Sequence, residues 1–171
     1  MTTIPSNKAA VLAQALIRNL NNASLTHETY GPLFESQSGS LSEGTAAQKL
    51  GFSLDIVPPG KRSCPYHFHH AQEEAFLILE GTGTLRVAGE HVPIQAGDVL
   101  FIPAGPDYPH QIINTSHAEL KYLSISTKES PEVVEYPDSG KYLATASAKG
   151  IKAFRALQRT EANLDYWEGE I

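Results

Sequence analysis

The chain has 171 residues, 41% of them hydrophobic, enough for one domain with a sizeable core and too few for two comfortable ones. Lys plus Arg number 13 against 19 for Asp plus Glu, a net charge of −6, and the longest basic cluster is Lys61-Arg62, so nucleic acid and anionic membranes are not expected partners. No apolar run reaches transmembrane length, the start lacks a basic segment leading into a continuous apolar one, and the one cysteine, Cys64, cannot form an internal disulfide; a cytoplasmic protein in a reducing compartment is the expectation.

In chain order, residues 5 to 22 carry Ala9, Leu12, Ala13, Leu16 and Leu20 at three- and four-residue spacings after a candidate cap at Ser6, which predicts a helix. Residues 23 to 48 are rich in Ser, Gly, Thr and Glu, with a strand expected from Leu33 to Gln37 that breaks at Ser38-Gly39-Ser40. From Leu50 to Thr127 short apolar and β-branched runs alternate with Gly or Pro. They predict strands near 50 to 57, 63 to 69, 73 to 80, 84 to 88, 91 to 94, 98 to 102, 109 to 114 and 119 to 126. Pro58-Pro59-Gly60, Gly81-Thr82-Gly83, Ala88-Gly89-Glu90, Ala96-Gly97-Asp98 and Pro103-Ala104-Gly105-Pro106 supply the turns. Many short strands with closely spaced turns and no helices between them indicate an all-β antiparallel sandwich or barrel, of which the jelly roll encloses a small pocket.

Residues 131 to 171 are less regular. They contain the turn chemistry of Tyr136-Pro137-Asp138-Ser139-Gly140-Lys141, a helix-compatible stretch around Ala146 to Ala156, and an acidic aromatic end, Asp165 to Glu170. The expected division is an N-terminal extension at 1–48, a barrel core at 49–127 and an arm packed on the barrel at 128–171.

The chemistry concentrates in His67-Phe68-His69-His70-Ala71-Gln72-Glu73-Glu74. On a strand successive side chains point to opposite faces, so His67 and His69 share one face and Phe68 and His70 the other. If the first face lines a closed interior, two imidazoles converge there and Glu74, entering on the next strand, adds an oxygen. His110, in a later strand, is a further candidate. Isolated histidines such as His27, His91 and His117 read as ordinary surface or filler residues.

These residues resemble a family. Gly60, His67, His69, Glu74 and Gly81 look like the first motif of the cupins, with one residue more than usual between Gly60 and His67. Gly97, Pro103, Gly105, His110 and Asn114 look like the second, with four residues rather than the common two between Gly105 and His110. Over roughly residues 30 to 142 the chain is similar to small bacterial single-domain cupins, mostly uncharacterised, some labelled sugar-phosphate isomerase-like. The resemblance implies a cupin-type double-stranded β-helix, that is, a jelly-roll barrel. It implies one divalent transition-metal ion (Zn, Mn, Fe or Ni) on His67, His69, Glu74 and His110. Glu74 stands seven positions before Gly81, as the first motif requires, and shares a face with Phe76 and Ile78; Glu73 then points outward. Strand parity likewise excludes His70, and Asn114 is read as bracing the turn.

Tyr66 and Tyr108 lie close to ligand positions and are candidate substrate-binding groups, with packing as the plainer role. Cys64 reads as a small, half-buried hydrophobe, Arg86 and Lys121 as solvated charges, and Asp165 to Glu170 as either a tail or a cover for a neighbouring edge strand. Two function classes follow. One is a small-molecule metalloenzyme, either an isomerase or epimerase or else an oxygenase or decarboxylase, with the catalytic acid or base unassigned. The other is a non-catalytic small-ligand or metal binding module. A small and possibly anionic ligand and a homodimer formed through barrel edges are the expected partners.

Overall fold

The computed structural model describes residues 7–148, 151–159 and 164–170. Among the described residues, thirteen strands form three sheets. The largest has six strands in the order β1-β2-β3-β10-β5-β8, namely Thr26–Tyr30, Phe34–Ser40, Leu50–Val57, Leu120–Thr127, Glu74–Glu80 and Val99–Ile102. A three-stranded sheet runs β7-β6-β9, Glu90–Gln95, Thr82–Val87 and His110–Ile113. A four-stranded sheet runs β13-β12-β11-β4, Ile151–Arg159, Lys141–Ala148, Glu132–Tyr136 and Phe68–His69. Every ladder is antiparallel.

The core forms where the six-stranded and three-stranded sheets turn their apolar faces together. Val57, Phe76, Ile78, Leu100, Ile102, Leu120 and Tyr122 come from the first, and Leu85, Ile94 and Ile112 from the second. Each aliphatic or Phe side chain so buried is worth about 1.5–3 kcal/mol, and the alternation along each strand selects the face. Gly81 turns the chain between β5 and β6 at φ 86°, a value glycine adopts without strain, and a Cβ there would strike the Glu119 carbonyl oxygen.

The strands expected between residues 50 and 127 are found within two residues of their predicted ends, except at residues 63 to 69. There only Phe68–His69 is strand, preceded by an isolated bridge between His67 and His110. Three further expectations need correction, and one strand, β1, had no expectation behind it. The helix over residues 5 to 22 is α1, Asn7–Leu16, followed by a 3-10 turn at Leu20–Asn22; Ser6 lies outside the described residues. Arg18 ends the helix by donating to the carbonyls of Gln14 (2.6 Å) and Ile17 (2.9 Å). The strand expected to stop before Ser38 runs on through Ser40. Gly39 lets β2 pass the Ser24 carbonyl, where a Cβ would collide, and pairs with Leu54. β1 was not foreseen, because all five of its residues are exposed and carry no apolar alternation. Of the helix-compatible stretch around Ala146 to Ala156, residues 149 and 150 lie outside the described residues and the rest is in β12 and β13, which pair with each other and, through β12, with β11; tertiary pairing overrides helical propensity there.

Candidate metal centre

Three local devices build the site. His67 and His110 exchange backbone hydrogen bonds, His67 N to His110 O at 3.1 Å and the reverse at 2.7 Å, which sets the two histidines directly opposite each other. β4 then carries His69 on the face of His67. The loop at 70–73 reverses the chain into β5, whose first residue is Glu74. That loop is held by Glu132 of β11, a buried carboxylate that accepts from the amides of His70 (3.0 Å), Ala71 (3.4 Å) and Gln72 (2.7 Å).

The result is a convergence on one oxygen. Glu74 Oε2 lies 2.9 Å from His110 Nε2, 3.4 Å from His69 Nε2 and 3.7 Å from His67 Nε2. Donor atoms of His67, His69 and Glu74 all fall within 4.8 Å of one another. Glu74 Oε2 and His110 Nε2 are buried yet have no hydrogen-bond partner of acceptable geometry. Leaving two buried polar atoms unsatisfied costs about 1–3 kcal/mol each. A cation held between them removes that cost, and three imidazoles with one carboxylate form a donor set for a first-row divalent metal. Two of the far ring nitrogens are oriented from behind. His67 Nδ1 is 2.9 Å from the Pro65 carbonyl and His110 Nδ1 3.3 Å from the Tyr108 carbonyl. His69 Nδ1 is buried without a hydrogen-bond partner, 3.7 Å from Glu132 Oε1.

Electrostatics favour a bound positive charge. Burial by itself would push the Glu74 carboxyl up, but contact with His110 and His67 and the nearby His69 hold it well below the usual carboxylate range. Burial likewise disfavours a charged His67, yet contact with Cys64 and Glu74 outweighs it and pushes that imidazole up to about 10. At His69 burial wins over the attraction of Glu74 and the pKa is lowered. Glu74 is thus held as a carboxylate by positive charge around it, carried here by a proton on His67 that a bound metal ion would displace.

The site opens on a cavity of about 310 Å³, lined by His67, Glu74 and His110 together with Ser38, Ser53, Asp55, Ser63, Tyr122 and Ser124. Cys64 is half-buried, as expected, and also lines the cavity, with Sγ 4.0 Å from His67 Nδ1. Tyr66 and Tyr108 are not among the lining residues. Tyr66 is buried, accepts from Gly89 N at 3.2 Å and stacks under Arg86, whose guanidinium stands 3.8 Å from the ring centre; Tyr108 is half exposed. Arg86 is no free surface charge either, since it binds Asp138 in a two-pronged pair at 2.6 and 2.8 Å, and Lys121 pairs with Glu80 at 3.1 Å. His70 turns outward to Glu135 at 2.7 Å and Glu73 is exposed. Asn114 is fully buried and donates to Val57 O (2.8 Å) and Ala118 O (2.7 Å), a brace for the turn.

Two residues at the site were not singled out from the sequence. Glu132 follows Pro131 on the inward parity of Val134, and Asp55 interrupts an apolar strand on the inward parity of Val57. An acid at an inward strand position was the available signal in both cases.

Residues 53–126 match the cupin domain family. The chain belongs to the cupin superfamily. An uncharacterised protein of Methanocaldococcus jannaschii is 36% identical over 91 residues, 51% of this chain and 70% of that protein. The oxalate-binding protein of Thermotoga maritima is 39% identical over 74 residues, 43% of this chain and 59% of the relative. Among solved structures, a cupin of Acidithiobacillus ferrooxidans named as a candidate sugar phosphate isomerase superimposes with TM-score 0.74 at 27% identity, covering 89% of this chain and 96% of the other. No helix among the described residues is long and apolar enough to cross a membrane.

Proposed function

We propose that this cupin is a metal-dependent enzyme acting on a small molecule, with His67, His69, Glu74 and His110 holding one divalent transition-metal ion. The observation that carries the reading is the approach of three imidazole nitrogens to the partnerless Glu74 Oε2. When bound, such an ion supplies Lewis acidity toward a carbonyl or hydroxyl oxygen, or redox chemistry if it is Fe or Mn. The protein's share is to fix the donors, to place apolar Phe76 and Ile112 in the same lining, and to present a polar wall to the rest of the substrate. An isomerase or epimerase is the favoured class, supported by the likeness to the A. ferrooxidans protein along nearly the whole chain. An oxygenase or decarboxylase uses the same donors. The second reading is a binding module, favoured by the likeness to an oxalate-binding protein.

Incubating the metal-replete protein with pooled sugars, sugar phosphates, keto acids and catechols, with and without dioxygen, separates these classes. Anaerobic turnover that disappears in Glu74→Ala supports the isomerase. Substrate-dependent consumption of dioxygen rejects it, and saturable binding without product supports the module.

A further inference from the structure

One wall of the cavity, on the six-stranded sheet, is organised around one buried carboxylate. Asp55 Oδ1 accepts from Ser38 Oγ at 2.7 Å, and Oδ2 accepts from Ser124 Oγ at 2.8 Å and Ser53 Oγ at 3.3 Å. Strand register assembles the set. Ser38 of β2 and Tyr122 of β10 both pair with Asp55 of β3, and Ser124 pairs with Ser53, so all five side chains leave the same face of the six-stranded sheet. A carboxylate only accepts, and each serine has a single hydrogen. With those hydrogens committed to Asp55, the three hydroxyls show lone pairs to the cavity. Beside them Ser63 Oγ and Tyr122 OH are 2.7 Å apart and share one hydrogen, leaving one donor between them. Burial, with Asp55 nearby, keeps the Tyr122 phenol protonated.

A wall of acceptors selects a ligand with donors. The described lining contains the carboxylates of Glu28, Asp55 and Glu74 and neither Lys nor Arg. Three carboxylates outweigh one divalent ion, so a phosphate group in this cavity would find no compensating cation beside the serines. Oxalate has no hydrogen to offer there either. The volume of about 310 Å³ corresponds to about ten waters of liquid, small-ligand size.

From this we infer that the cavity takes an unphosphorylated polyhydroxylated carbonyl compound of the sugar class. Its hydroxyls donate to Ser38, Ser53 and Ser124, while its carbonyl end faces the imidazoles. The inference rests on the proposed ion site for the carbonyl end and on Asp55 and its serines for the class of ligand.

The test is saturation-transfer NMR and calorimetry on the full chain loaded with zinc. The probes are D-ribose, D-xylose, D-glucose, D-mannose and D-fructose against glucose 6-phosphate, fructose 6-phosphate and oxalate, with metal content measured on every sample. At least one free sugar is expected to bind more tightly than both phosphate esters. Ser124→Ala, which removes one acceptor, weakens that sugar roughly three- to ten-fold and leaves oxalate and zinc content unchanged. Asp55→Asn is the second variant. Its amide donates to a serine oxygen and turns that serine's hydrogen toward the cavity, so relative affinity shifts from the free sugar toward oxalate and the phosphate esters. A phosphate ester that binds tighter than every free sugar overturns the inference, as do five free sugars that fail to bind or an Asp55→Asn that folds and leaves the preference unmoved. Sugar binding that depends on Ser124 in a protein holding no zinc upholds the serine wall and rejects the ion site, so the two readings fail separately.

Discussion

Glu132 Oε1 stands 3.7 Å from His69 Nδ1 while the same carboxylate ties down the loop that leads from His69 to Glu74. One buried side chain therefore lies beside a donor ring as a charge, not as a hydrogen-bond partner, and holds the loop between two donor residues. Groups behind a ligand commonly change metal affinity roughly 10- to 100-fold when replaced. Glu132→Gln keeps one carbonyl acceptor for the loop amides, and zinc affinity measured by competition with a chelator is expected to fall within that range with the fold intact. Glu132→Ala leaves buried amides unpaired and is expected to lower stability by about 3 kcal/mol in urea unfolding.

Asn114 separates bracing from binding. It is fully buried, donates to two carbonyls, and accepts from Ser116 N at 3.0 Å and Ser116 Oγ at 2.8 Å. Asn114→Ala should lower stability by roughly 2–4 kcal/mol, the cost of stranding several buried partners, while metal content per folded chain stays at the wild-type level. Loss of metal from folded Asn114→Ala protein would show that the residue does more than brace the turn.

Strand β8 lies at the edge of the six-stranded sheet and turns Val99 and Phe101 outward, Phe101 being 77% exposed. An apolar edge of this kind invites pairing with a second copy. Light scattering at micromolar concentration is expected to give a homodimer for the wild type and a monomer for Phe101→Glu. A wild-type monomer contradicts the expectation.

The Arg86–Asp138 pair ties the turn after β11 to β6, and its pH dependence has a defined sign. The two-pronged contact with Arg86 holds the Asp138 carboxyl below its ordinary value of 3.8. Its contribution is therefore fully present above about pH 4 and is lost as pH falls through the lowered value. Asp138 is 53% exposed on its side chain, so solvent screens the pair and the contribution is about 0.5–1 kcal/mol. Wild type should exceed Asp138→Asn by that margin in denaturant unfolding at pH 7, and the gap should close toward pH 2.

The barrel strands were legible because alternation and Gly or Pro turns are local signals. β3 begins and ends where the pattern from Leu50 to Val57 does. The terminal strands were not, because Thr26–Tyr30 exposes every residue and β12 and β13 take their form from the edge of β11. The convergence of His67, His69, Glu74 and His110 followed from parity and motif spacing, both readable in one dimension. Glu132 and Asp55 escaped notice because their partners come from other strands: the amides of a distant loop for one, and serines of β2, β3 and β10 for the other. Tyr66 and Tyr108 are near donor residues in sequence, but neither is among the cavity-lining residues.

The central claim is that His67, His69, Glu74 and His110 hold one ion, and elemental analysis of protein purified without added metal tests it most directly. The account predicts close to one transition-metal ion per folded chain in the wild type and well under half that amount in His110→Ala and in His67→Ala. Metal far below one per chain, or a full complement retained in both variants, would contradict it.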